Sequence, residues 1–85
     1  MTSWLQRALD VVEEIFDARG MGGKFTTDDI WRGLEIARVA PPENPKQMSV
    51  VINLLRKHKL IRSAGVTKTE RPERNSGYVT VWVIV

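Results

Sequence analysis

The main change of hydrophobic period along the chain falls at Ile61. Upstream of it, apolar residues recur three and four apart, the spacing of amphipathic helices. Downstream, two segments containing β-branched residues flank a run of polar loop formers, which predicts a hairpin. A chain that is helical first and stranded last must lay its helices against a small antiparallel sheet. The expected class is therefore α+β. At 85 residues, a single domain spanning 1–85 is expected.

Taken in order, Ser3 is placed to cap a first helix over Ser3–Arg19. Leu5, Ala8, Leu9, Val12, Ile15 and Phe16 form its apolar stripe, and Asp10, Glu13, Glu14 and Asp17 lie off it. Gly20 ends it as a left-handed residue would. The run Gly20–Lys24 invites a phosphate-loop reading. It lacks the G-x-x-x-x-G-K-S/T spacing, puts Phe25 where a hydroxyl belongs and follows a helix rather than a strand, so it reads as a turn. Lys24–Thr26 is expected as a short strand with Phe25 inward. Thr26 and Asp29 approximate a capping box opening a second helix, Thr27–Arg38, in which Asp28 and Asp29 favour the first turn. These two carboxylates have no third ligand beside them, so the helix start accounts for them. Trp31 keeps the spacing of Ile30, Leu34 and Ala37 and is read as core rather than as a stacking platform. Ala40–Pro45 is a connector.

The third helix is the stretch on which a functional reading turns. Asn44 is expected as its N-cap and Pro45 as its first residue, with the helix covering about 45–58. Met48, Val51, Ile52 and Leu55 share one face. Lys46, Gln47, Ser49, Asn53, Arg56 and Lys57 lie off that stripe, and Val50 stands near them. No acid interrupts this set, which suits an anionic partner. His58, the single histidine, has neither a second His nor a Cys to complete a metal site or a nucleophile triad, and a helix C-terminus explains it. Leu60 and Ile61 are expected to return to the core.

Ile61–Thr69 is expected as a strand weakened at Gly65, Glu70–Gly77 as a polar turn, and Tyr78–Val85 as a strand apolar on both faces. A small sheet usually covers one face only. The second is therefore expected to be covered by helix 1, by the N-terminus or by another copy of the chain.

Charge is polarised. Residues 1–45 carry five cations against eight acids, net −3, and residues 46–85 carry eight against two, net +6. A basic binding half on an acidic support is the expected arrangement. With no cysteine there is neither disulfide nor thiolate metal site. The N-terminal residues do not have the pattern of a signal peptide, and Val81–Val85 is too short an apolar run to span a membrane. A cytoplasmic protein without cofactor is expected. No nucleophile–base–orienter set can be assembled, so no enzyme activity is expected.

In this order of elements the chain resembles a winged helix-turn-helix domain of the small bacterial or phage type. The resemblance is carried by Lys24–Trp31 entering helix 2, and by Met48, Ile52, Leu55 and the Leu60–Ile61 pair, the pattern of a recognition helix running into a first wing strand. It implies a three-helix core with a short strand and a C-terminal β-hairpin wing over 67–78. Two positions depart from the family pattern. Lys59 stands where a Gly commonly precedes the Leu–Ile pair, which puts that turn in question. The Asn–Tyr pair of left-handed-DNA binders is not matched.

The resemblance implies a double-stranded DNA partner, with helix 3 in the major groove. Lys46, Gln47, Ser49, Val50 and Asn53 would then approach base edges, and Arg56 and Lys57 would meet phosphates. Val50 suits either contact with a thymine methyl or a half-buried position. Lys68, Arg71 and Arg74 would reach phosphates or the minor groove, unless Glu70 and Glu73 pair with the arginines and leave a solvated turn. The expected role is transcription regulation or a phage or plasmid DNA transaction. The alternative is an adaptor module on the same fold, with a homodimer through Tyr78–Val85 or helix 1 as a possible form.

Overall fold

The computed structural model describes residues 3–44, 46–69 and 77–85. Its elements run α1 (Trp4–Arg19), β1 (Lys24–Phe25), α2 (Thr27–Ile36), α3 (Gln47–Lys57), β2 (Ile61–Lys68) and β3 (Tyr78–Ile84). The three strands form one antiparallel sheet in the order β1-β3-β2. The architecture is α+β, as the change of period predicts.

Local chemistry sets most element ends. The Ser3 hydroxyl accepts from the Gln6 amide at 3.1 Å and opens α1. Gly20, at φ 72°, closes it and donates to the Phe16 carbonyl at 2.8 Å. The Thr26 amide donates to Asp29 Oδ2 at 2.8 Å, the acidic arm of the expected capping box. Arg19 bonds both the Lys24 carbonyl and the same Asp29 oxygen. One carboxylate thus joins the end of α1 to the start of α2 across β1.

Helix α2 ends earlier than expected and α3 ends near His58 as expected, but both close without glycine. Arg38 and Lys59 both take φ 58°, the left-handed region normally left to glycine. At each, the amide pairs follow a Schellman pattern. Arg38 donates to Glu35 and Val39 to Leu34, and Lys59 donates to Arg56 and Leu60 to Leu55. Helix α2 therefore stops at Ile36 rather than Arg38, and Ala37 is exposed rather than core. Lys59 adopts a left-handed backbone without being glycine, so the departure in residue type leaves that conformation in place.

At its other end, α3 starts later than expected. Lys46 rather than Asn44 is the cap residue, and the Asn44 side chain accepts from the Lys46 amide at 3.0 Å in a turn ahead of the helix. Pro45 lies outside the described residues.

The core gathers Ala8, Val11 and Val12 from α1, Phe25 from β1, and Ile30 and Leu34 from α2. It is completed by Met48, Val51, Ile52 and Leu55 from α3, and by Ile61, Trp82 and Ile84 from the sheet. Val11 is an addition to the expected stripe. It lies against Gly33 of α2, where a Cβ would collide with Val11 Cγ1. The Leu60–Ile61 pair splits. Ile61 is buried but Leu60 is 42% exposed, because successive residues entering a strand point to opposite sides.

On β3, Trp82 and Ile84 face the core. Val81 and Val83 are half-buried, and Val83 pairs in register with both Lys24 and Arg62. Val83 is thus set between two cations with long aliphatic stems, while Val79 on the same face is buried. Strand β2 is bulged between Ser63 and Val66, where Gly65 takes φ 112°.

Two stability changes follow from these backbones. Lys59→Gly should raise the unfolding free energy by about 1 kcal/mol, by relieving the left-handed strain, as read by urea denaturation. Gly33→Ala should lower it by about 1–3 kcal/mol, since α1 and α2 must separate to admit the methyl.

Candidate nucleic-acid interface

Burial of Met48, Val51, Ile52 and Leu55 fixes the rotation of α3 about its axis. What that rotation leaves outside is a strip of Lys46, Ser49, Val50, Asn53 and Lys57, all exposed. The intervals of three, four, seven and eleven residues from Lys46 keep them on one side of the helix. Val50 is 46% exposed, so part of its side chain is accessible. Within the strip, two ammonium groups flank a hydroxyl, a methyl pair and an amide. The amide can bond an adenine edge, and the methyls suit a thymine.

Two of the expected contact residues lie off this strip. Gln47 is half-buried on the flank that faces the N-terminus of α1 and the α2–α3 connector. Arg56 lies on the opposite flank, its guanidinium carbon 5.6 Å from the centroid of the Trp82 ring. This cation–π contact occupies the flat face of the guanidinium and leaves its in-plane N–H donors open. Arg56 remains exposed, so the stack pre-positions it rather than removing it.

Lys68 stands apart at the far end of β2, exposed. It stands seven residues along the strand from Ile61, a reach of roughly 20 Å. The adjacent Thr69 hydroxyl donates to Asp28 Oδ2 at 2.6 Å, tying the end of β2 to the first turn of α2. Asp28 is buried, beyond the simple helix-start role expected of it. Arg71 and Arg74, with Glu70 and Glu73, lie outside the described residues.

An aromatic pair went unnoticed in the sequence. Trp4 and Trp31 meet with ring centroids 5.8 Å apart at 42°, both packed against the core. Trp31 is thus a packing residue and not a free platform. Trp4 keeps helical spacing with Ala8, Val11 and Ile15, so it extends the apolar face by one turn, a signal that the spacing carried.

Among the described residues no group of three or more His, Cys, Asp or Glu is placed to hold a metal ion. No described helix is long and apolar enough to cross a membrane. Comparison with protein-family models, curated proteins and solved structures gave no match for the chain.

The Arg56–Trp82 stack has a measurable consequence. Arg56→Ala should cost roughly 0.5–1 kcal/mol of stability and alter the tryptophan emission, while Arg56→Lys should keep part of both. Denaturation followed by fluorescence reads the two effects together.

Proposed function

We propose that this chain is a double-stranded DNA-binding domain of the winged helix-turn-helix kind, serving transcription regulation or a phage or plasmid DNA transaction. The observation that carries the reading is the exposed, acid-free strip Lys46–Ser49–Val50–Asn53–Lys57 on α3. A helix held by four buried residues and presenting cations around an amide is suited to the major groove. Asn53 reads a base edge, Ser49 and Val50 flank it, and Lys46 and Lys57 meet phosphates on either side. Arg56, steadied on Trp82, donates to a phosphate as well. Lys68, with Arg71 and Arg74, extends the contact from the hairpin, which serves as the wing.

The half-buried flank position of Gln47 makes it a weaker reader than Asn53. An adaptor role is the second reading. It is favoured by Val66 and Tyr78, which are 69% and 64% exposed on the hairpin. A dimer with no affinity for duplex in solution would support that reading.

Titration of random duplexes at several salt concentrations tests the proposal. Six phosphate contacts, from Lys46, Arg56, Lys57, Lys68, Arg71 and Arg74, give an expected log–log slope of about −5. Affinity that is flat with salt would overturn it. On a selected site Asn53→Ala should cost about 1–3 kcal/mol and relax preference at one base pair, with Gln47→Ala costing less.

A further inference from the structure

A groove of about 1020 Å³ runs between the first turn of α1, the α2–α3 connector and the start of α3. Its apolar lining includes Trp4, Leu5, Val39 and Pro42, all half-buried. Arg7 and Arg38 also line it, both exposed and neither in an ion pair among the described residues. Glu43 is the single acid of the lining.

We propose that this groove docks an acidic, apolar peptide segment of a partner protein. Two observations favour docking there, and the first selects the occupant. First, the lining couples an apolar surface to an excess of arginine, which complements a segment carrying both apolar side chains and carboxylates. A phosphate backbone would gain nothing from the apolar part. Second, Pro41 and Pro42 form part of the wall, so that segment of backbone is already restricted before a partner arrives.

The indole N–H of Trp4 is buried and has no acceptor among the described residues. Because Trp4 lines the groove, its indole resonance reports on docking.

Gln47 and Val50 line the groove as well. A docked peptide therefore competes with duplex for the start of α3. That consequence rests on the DNA-binding reading. Docking itself does not, and is tested without DNA.

The test is selection from a displayed random peptide library on the whole chain, followed by calorimetry and amide–indole NMR with the enriched peptides as synthetic probes. Enriched peptides should carry Asp or Glu beside Leu, Phe or Trp and should shift the Trp4 indole signal. The R7E/R38E variant should weaken binding by roughly tenfold or more. The K24E/R62E variant, which changes charge equally on the sheet, should leave it unaltered. All four positions are exposed, and a thermal melt confirms that both variants fold. Failure to enrich any peptide, enrichment of basic peptides, or equal loss in the two variants would overturn the proposal. So would groove signals that respond to a random duplex but to no peptide, which would assign the groove to a nucleic-acid footprint.

Discussion

The buried stripe of α3 is the constraint on which the rest depends. Val51 is fully buried, and Met48, Ile52 and Leu55 nearly so. Each side chain of that size removed from water is worth about 1.5–3 kcal/mol, so a rotation of the helix that traded the four for Asn53 or Lys57 would cost about as much as a small domain's whole margin of stability. The same burial that holds the three helices together therefore selects which side chains face outward. Any functional surface on α3 is a by-product of core packing, and its composition is where function had freedom to act.

The two non-glycine left-handed turns matter for the same reason. Lys59 reverses the chain so that Ile61 enters the core directly after α3. Arg38 does so before the connector that leads to α3. Each turn is closed by a pair of backbone hydrogen bonds that satisfy carbonyls otherwise left open at a helix end. The exit of α3 is thus set by backbone geometry at Lys59, and its rotation by apolar burial along its middle.

Much of this was legible in the residues. The period change at Ile61 separates helices from hairpin, Gly20 and Ser3 mark α1, and Thr26 with Asp29 marks α2. Spacing alone also sorted Lys46, Ser49, Asn53 and Lys57 from the apolar stripe. The misses share a physical cause. Arg38 and Lys59 carry no glycine signal, so the stop of α2 and the exposure of Leu60 went unseen. Val11 looks peripheral until Gly33 is known to lie against it. Spacing alone puts Gln47 and Arg56 on opposite flanks, but it does not show the Trp82 ring beside Arg56 or the first turn of α1 beside Gln47. Asp28 reads as a helix-start acid until Thr69, from the far end of β2, comes to rest on it.

The bulge in β2 bears on association. As an outer strand of the sheet, β2 turns one row of backbone amides and carbonyls away from β3. An outer strand of this kind is a template on which further strands can add, the first step toward fibrous aggregation. Here the regular register breaks between Ser63 and Val66, Gly65 twists the backbone, and Arg62 and Lys68 place a cation on either side of the break. No regular run of four consecutive residues survives between those two cations. The exposed edge is thereby protected from stacking by its own irregularity.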